Sequence, residues 1–428
     1  MVETPRRRAV VTGLGVISAI GSTPAAFWAA LEAGTPGVGR IRAFDPTPLP
    51  CQLGGEVPDF NAKAVVEKAY RKTLNAMSRP VQMGLVVSQF AMQDAGLAKG
   101  TVAPERIGIS FASVMGATDI DDLAGASKRS SVGARQAVDM AVWGEKGLPE
   151  VPPMWMLRYL PNMPACHVTI VFDMQGPSNT IIPNDAAGVM ALGEALRILR
   201  RGAADVMFVG GSEAKVNPLS MSRFNSFYPL TRRNELGGAA VRPFDEAASG
   251  SVLGEGGAAF PLEELEHAKT RGANILAEVV GFAAGVDRPL AGPGLARVIR
   301  TALAEAGIQP ADVDHVNAHG VGVPALDRFE ANGIGAVFGK DVPVFAPLSR
   351  FGNMGAASGA AELACSLLAL KHGRLPGTLN HAAPYPGCPI TVHTGSPRPV
   401  TKPYAVKVSA TDLGQCAVVV VKRWDGGA

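Results

Sequence analysis

The sequence has few cysteines, few aromatic residues and little excess of charge of either sign. Its five cysteines are widely dispersed and contain no Cys-x-x-Cys pair, so neither a disulfide framework nor a metal site is indicated. The formal net charge of +3 is too small to indicate nucleic-acid binding. The long uncharged runs, 9–31 and 375–397, are interrupted by Gly, Pro, Ser and Thr and fall short of a membrane span of roughly 18 apolar residues. We therefore expect a soluble, cytoplasmic protein that binds no membrane.

Short β-branched runs alternate with alanine- and leucine-rich stretches along most of the 428 residues. This alternation predicts an α/β fold built in layers, and a hydrophobic content of 47% is enough for a large core. The predicted strands are 9–12, 107–111, 205–209, 275–280, 406–409 and 417–422. The predicted helices are 24–33, 81–94, 186–200, 294–306 and 360–371.

The chain is predicted to consist of two similar halves, residues 1–258 and 259–428, that form one compact unit. A glycine-rich stretch at 253–257 and the charged segment after it mark the boundary. Each half contains a strand–turn–helix unit late in its length, one leading to Asp185 and the other running from 346 to 370. These two units indicate a duplication, although no fixed repeat period is present.

Asp185 is the residue whose surroundings are most informative. An extended approach, 176–184, leads to it, and a stretch with helical spacing of apolar residues follows at 186–200. A strand that delivers one residue to the start of a buried helix commonly presents a nucleophile, which is usually Cys or Ser. The carboxylate of Asp185 is a poor nucleophile, so this position raises the question of whether the chain catalyses a reaction at all.

Six segments, in order along the chain from about Arg8 to Arg423, resemble the β-ketoacyl synthases of the thiolase superfamily. The resemblance implies a duplicated αβαβα layered fold of the thiolase type. It also implies a site in which a thiol accepts an acyl group from a carrier protein, and two histidines assist decarboxylation of a malonyl thioester. The segments are 10–18, 27–34, 161–168, 176–178, 242–269 with Arg-Pro-Phe-Asp and Leu-Gly-Glu-Gly, and 317–327 with Asn-Ala-His-Gly.

Carried over position by position, this resemblance leaves most of the catalytic site altered. Asp185 stands where the family has its nucleophilic thiol, whereas the first histidine is retained as His319. Asn353 stands at the second histidine and Leu348 at the nearby lysine. The Thr-Ser-Thr after the first histidine and the C-terminal gating loop are also changed; they read Val321-Gly-Val323 and Thr411-Asp-Leu-Gly-Gln-Cys416. We expect that the chain does not run the condensing reaction.

The leading hypothesis is therefore a chain-length factor, a ketosynthase-like subunit that lacks the active cysteine. It would pair with an active ketosynthase in a type II polyketide synthase or a related synthase, shape the acyl tunnel and meet an acyl carrier protein, without a cofactor. Met115 is the candidate for setting tunnel depth, and Asp412 is the candidate gate residue. In the comparable chain-length factors, Gln occupies the place of Asp185.

Two other functions stay open. In the first, the chain is a stand-alone enzyme in which Asp185 and His319 form an acid–base pair for decarboxylation, acyl transfer or cyclisation. In the second, it is a carrier-protein or lipid-binding module whose basic cluster meets an acidic carrier. Asp185 also suits the start of a helix without any chemical task, because an anion gains about 0.3–1 kcal/mol there. The basic cluster is Arg197, Arg200 and Arg201.

Overall fold

Eleven strands form one sheet that runs through the molecule in a computed structural model, which describes residues 7–133 and 136–426. In chain order they are β1 (Ala9–Val11), β2 (Gly15–Ile17), β3 (Ile107–Ala112), β4 (Ser178–Ile181), β5 (Val206–Ala214), β6 (Glu255–Glu264), β7 (Ala277–Val286), β8 (Val313–Asn317), β9 (Val344–Phe345), β10 (Tyr404–Ala410) and β11 (Gln415–Arg423). Separate two-stranded ladders pair Gly39–Arg40 with Leu53–Gly54, Ser131–Val132 with Ala137–Val138, and Arg374–Leu375 with Arg398–Pro399.

The strand order shows that the two halves of the fold repeat one plan. Across the sheet the order is β9-β8-β10-β11-β7-β1-β6-β5-β3-β4, and β2 pairs with β6. When β2 is left out and the strands of each half are counted in chain order, both halves run third, second, fourth, fifth and first from the outer edge inward. The three outer strands of each half are parallel, and the remaining pairs are antiparallel. The predicted duplication is therefore confirmed, and the predicted division after residue 258 stays a prediction.

The helices pack in layers on the sheet. The longer ones are α1 (Pro24–Ala33), α2 (Arg79–Asp94), α3 (Ile120–Ser130), α4 (Met163–Phe172), α5 (Ala187–Arg200), α6 (Pro218–Phe227), α7 (Pro293–Ala306), α8 (Pro324–Phe338) and α9 (Ser358–His372). Shorter ones are Ala62–Val65, Met140–Val142, Trp155–Tyr159 and Leu265–Thr270. None of the helices within the described ranges is long and apolar enough to cross a bilayer.

Two helices, α5 and α9, lie in the centre of the molecule and begin at the two strand–turn–helix units. Every α9 residue from Ser358 to Leu370 is buried, and α5 is buried along most of its length. The helices approach so closely that a Cβ at Gly188 would lie 2.7 Å from the backbone nitrogen of Ala360. Only glycine fits this contact, which brings the N-terminal ends of both helices to one place.

The sequence predicts these elements closely. The helix predicted at 24–33 has these bounds in the structure, because Thr23 caps its first turn and Gly34, with φ of 68°, ends it. The other predicted helices and strands are present with ends shifted by a few residues. The α/β layered architecture predicted from the alternation of elements is confirmed.

Candidate active site

Asp185 is presented by a sharp turn between β4 and α5. The turn needs a left-handed residue, and Asn184, with φ of 42°, supplies it because Asn tolerates this conformation better than most residues. A single 3₁₀ turn, Asn184–Ala186, then leads into α5. Asp185 is buried, with 2% of its surface exposed. The sequence-predicted arrangement, a strand that delivers this residue to the start of a buried helix, is what the fold contains.

His319 lies on the loop that follows β8, and two acidic residues of α8 hold that loop by its backbone. The Glu330 carboxylate accepts hydrogen bonds from the backbone N–H groups of His319, at 2.7 Å, and Gly320, at 2.8 Å. The Asp327 carboxylate accepts from the N–H of Gly322 at 3.2 Å and from that of Phe244 at 2.8 Å. Burial raises the pKa of Asp327 to about 7 and also raises the pKa of Glu330.

Asn353 lies two residues before the 3₁₀ turn Gly355–Ala357, which leads into α9 as Asn184–Ala186 leads into α5. Its side-chain oxygen accepts a hydrogen bond from the backbone N–H of Gly355 at 2.6 Å. The amide NH₂ group is thereby left to face Asp185, whose ionised form it favours. Asp185, His319 and Asn353, the three catalytic-site positions predicted from the sequence, are each at most 3% exposed, and Asp185 faces both other side chains.

A buried row of alternating charges runs through this site. The Nε2 atom of His319 is 3.6 Å from Oδ2 of Asp185, and its Nδ1 is 2.9 Å from Oε1 of Glu362. The other oxygen of Glu362 is 2.5 Å from the Lys407 ammonium, which is fully buried on β10. At the opposite end, the ammonium of Lys215 donates to the side-chain oxygen of Asn184 at 3.3 Å.

The row fixes the protonation states of its two central members. Burial acts to raise the pKa of Asp185, but His319, Lys215 and Asn353 outweigh it and hold that pKa below its ordinary value. Burial acts to lower the pKa of His319, but Glu362 and Asp185 outweigh it and raise that pKa to about 10. Asp185 is therefore a carboxylate and His319 an imidazolium at neutral pH.

A small cavity lies beside the pair. Its volume is about 10 Å³, which is room for one water molecule. Asp185, His319 and Tyr228 line it together with Leu326, Thr411 and Asp412, among others. The atoms Asp185 Oδ1, His319 Nε2 and Tyr228 OH are buried and accept or donate no hydrogen bond within the described chain. The cavity as it stands has no room for an acyl thioester.

The apolar residues that replace polar residues of the family pattern belong to one hydrophobic cluster. Val321, Val323 and Leu348, which stand where the resemblance places two threonines and a lysine, are all buried and belong to a single hydrophobic cluster with Leu253 and Met221. The replacements are mutually consistent, because each apolar side chain supplies packing partners for the others. This side of the site has become ordinary protein core.

The two candidate tunnel residues lie in different places. Met115 lines a separate surface pocket of about 530 Å³, with Asn184 and Lys215 on its inner wall, and its own side chain is 52% exposed. Asp412 lines the small cavity at Asp185; burial and the nearby Asp185 raise its pKa. The fold does not bring Met115 and Asp412 into one cavity.

The basic cluster and the cysteines lie outside the site. Arg200 forms an ion pair with Glu305 at 2.5 Å, and the Arg197 guanidinium lies 5.5 Å from the centre of the Phe282 ring. These contacts engage two of its three arginines within the protein. All five cysteines are free thiols, and neither Cys166 nor Cys416 lines the cavity at Asp185.

Sequence reasoning missed the two buried lysines and Tyr228. A signal for Lys407 was present: it is a lone charge in a strand of alternating valines, Tyr404–Ala410, and a charge inside a central strand requires a buried partner. It lies opposite Asn317 of the parallel strand β8, two residues before His319. Lys215 and Tyr228 carry no comparable pattern in the sequence.

This geometry limits what the site can do. A carboxylate with a lowered pKa is a weak base and a poor nucleophile, and an imidazolium with a pKa of about 10 cannot accept a proton at neutral pH. Each of the two groups faces the other and neutralises its charge. The pair is arranged to be stable rather than to transfer protons.

Comparisons with known proteins agree with the fold. The family model for the β-ketoacyl synthase N-terminal domain matches residues 6–268, and that for the C-terminal domain matches residues 276–382. The chain is 34% identical over 403 residues to a 3-oxoacyl-[acyl-carrier-protein] synthase 2 of Coxiella burnetii, covering 90% of this chain and 91% of that protein. It is 32% identical over 433 residues to the Synechocystis protein of the same description, covering 99% and 100%.

Two solved structures have nearly the same extent. The ishigamide ketosynthase/chain length factor superposes with a TM-score of 0.86 at 29% identity, covering 98% of this chain and 100% of the other. A type II PKS acyl-carrier protein in complex with its ketosynthase, AntDE:AntF, gives a TM-score of 0.83 at 29% identity, with the same coverage. Together with the family models, these matches show that the chain belongs to the β-ketoacyl synthase family and has its thiolase-like fold.

Proposed function

We propose that the chain is a non-condensing, ketosynthase-like subunit that pairs with an active ketosynthase and shapes the acyl tunnel of the pair. The observation that carries this proposal is the ion pair at the nucleophile position. Asp185 lacks the thiol that accepts the acyl group in the family and is a poor nucleophile. Its carboxylate lies 3.6 Å from the one retained histidine, His319. The scaffold around the site is intact, so a role in assembly fits it better than a role in condensation.

The surface of the N-terminal half supports pairing. Among the described residues, β4 pairs with β3 alone and so leaves one edge of the sheet open for another strand. Large apolar side chains are exposed in this half, in segments before and after β4 in the chain, which is unusual for a surface that faces only water. They include Met115, Ile120, Met140, Met154, Ile170, Ile182, Leu219 and Phe227. A partner with a matching edge and face would cover both features.

The structural relatives suggest which kinds of protein this chain would bind. One of them is described as a ketosynthase/chain length factor and another as an acyl-carrier protein in complex with its ketosynthase. An active ketosynthase is the partner proposed for this chain, and an acyl carrier protein would deliver substrate to the pair. The pocket that Met115 lines would then form part of the tunnel, and the partner would close its open side.

Co-expression tests the pairing. An intact type II ketosynthase with Cys at its nucleophile position is produced with this chain, and the complex is measured by size-exclusion chromatography with light scattering. We expect a stable one-to-one complex that Ile182→Arg disrupts, because Ile182 is exposed beside the open edge. Val286→Arg, at an exposed valine of the C-terminal half, is the matched control. A stable monomer, or a homodimer that ignores the ketosynthase, contradicts the proposal.

A second candidate is a stand-alone enzyme that uses Asp185 and His319. One observation favours it, since the fold buries these two groups together beside a cavity. Mass spectrometry of malonyl- and acyl-carrier thioesters incubated with the protein tests this candidate. Turnover that Asp185→Asn and His319→Ala both abolish supports the enzyme, whereas turnover unaffected by either variant excludes a role for the pair.

A further inference from the structure

The groups around Asp185 form a site built for an anion. The Nε2 atom of His319 lies 3.6 Å from the Asp185 carboxylate. Lys215 and Asn353, which are also buried, act with His319 to lower the pKa of Asp185. The start of α5 contributes in the same sense, since the free N–H groups of a helix N-terminus favour negative charge. Each of the three side chains is at most 3% exposed, so solvent does little to weaken their combined field.

Because Asp185 stands in place of the thiol, the charged side chains around it have no acyl-enzyme to act on. A buried imidazolium and a buried ammonium are costly to keep unless an anion compensates them. The compensating anion on the Nε2 side of His319 is Asp185, while Glu362 serves the other side. Both Asp185 and Glu213 act on Lys215. Asp185 Oδ1, His319 Nε2 and Tyr228 OH also face a shared cavity without partners in the described chain. These polar atoms surround a space for about one water molecule beside the Asp185 carboxylate.

We propose that the emptied ketosynthase site is a binding site for a small carboxylate, and that Asp185 occupies it in cis as a built-in ligand. The carboxylate group of Asp185 takes the place that a free carboxylate such as formate or acetate would take between His319, Lys215 and Asn353. This occupancy holds the histidine loop in place and keeps acyl and malonyl groups out of the site. The proposal concerns the interior of this chain and holds whether or not the chain pairs with a ketosynthase.

Chemical rescue tests the built-in ligand. Asp185→Ala removes the carboxylate group, which formate matches in size. Asp185→Gly removes the carboxylate together with its CH₂ group, which acetate matches. We expect each variant to lose thermal stability and to regain most of it with its own matching anion. Binding in the millimolar range is expected, because so few ligand atoms make contact. Formamide and acetamide, which match the anions in size but carry no charge, should give no recovery.

Two matched proteins control the experiment. Asp185→Asn keeps the shape of the side chain and leaves no space, so formate should not change its melting temperature. The unaltered protein should also give no response, because Asp185 fills the site. Equal stabilisation of all four proteins by formate, or no stabilisation of either truncated variant, overturns the proposal.

A second readout applies if the truncated variants do not fold. The imidazole of His319 is followed by NMR in the unaltered protein and in Asp185→Asn, which changes no volume. We expect the pKa of His319 to fall in the variant, because the anion on its Nε2 side is gone. An unchanged pKa would show that Asp185 is not the occupant that the surrounding charges require.

Discussion

Replacing Lys407 with methionine tests the buried row of charges directly. The Lys407 ammonium is fully buried and lies 2.5 Å from the Glu362 carboxylate, whose other oxygen is bound to His319. Removing one partner of a buried ion pair leaves the other charge without compensation and costs about 3–5 kcal/mol. We expect Lys407→Met to lower the free energy of unfolding by this amount, although methionine fills nearly the same volume.

A double-mutant cycle separates the charge from the packing. Lys407→Met, Glu362→Gln and the double variant are compared with the unaltered protein by urea unfolding followed by circular dichroism. The double variant should lose less than the sum of the single variants, because no unpaired charge then remains at that end of the row. The exposed pair Arg233–Glu235 provides a control, Arg233→Met, with an expected loss of about 0–1 kcal/mol. A loss for Lys407→Met as small as that of the control would refute this account of the row.

Three further predictions follow from the same structure. Because the pKa of His319 is raised to about 10, its stabilising effect is complete below its unfolded pKa of about 6.5 and is lost as pH rises toward 10. NMR should show that the His319 side chain stays protonated well above neutral pH. Burial lowers the pKa of His372, so that side chain should already be neutral there. Equal titration midpoints for the two histidines would contradict this prediction. Gly355→Ala should destabilise the fold by more than Gly373→Ala. Both glycines have positive φ, but only at Gly355 would a Cβ collide with Glu213 and Lys215. Equal losses of stability in thermal unfolding would show that this collision does not matter. In a reconstituted pair, Met115→Ala should lengthen the products and Met115→Trp shorten them by mass spectrometry; an unchanged length distribution removes Met115 from the tunnel.

The elements of the fold could be predicted because their signals are local. Caps such as Thr23 and Gly34, and β-branched runs such as Val418–Val421, specify helix ends and buried strands within a few residues of sequence. The position of Asp185 at a strand–helix turn could be predicted in the same way. Its meeting with His319 and Asn353 was accessible only through the family resemblance, because more than 100 residues separate Asp185 from the other two.

The charges that define the present site could not be predicted from the sequence. Lys407 and Lys215 lie far from the position of the family's lysine, which is now Leu348, and no spacing rule connects either to Asp185. The contacts of Lys407 arise from the parallel pairing of β8 with β10. Lys215 directly follows the end of β5 and is buried there by the surrounding fold. Long-range pairing of this kind is specified by the whole sheet rather than by any segment.

The hydrophobic cluster around Leu348 has a consequence for how the site could change. A single substitution that brought lysine back at this position would bury an ammonium among Val321, Val323 and Leu253, with no carboxylate prepared for it. A cysteine at position 185 alone would remove the carboxylate on the Nε2 side of His319. Each of these single substitutions is therefore expected to give a less stable protein. Under the proposed function, a return to condensing activity would require several positions to change together.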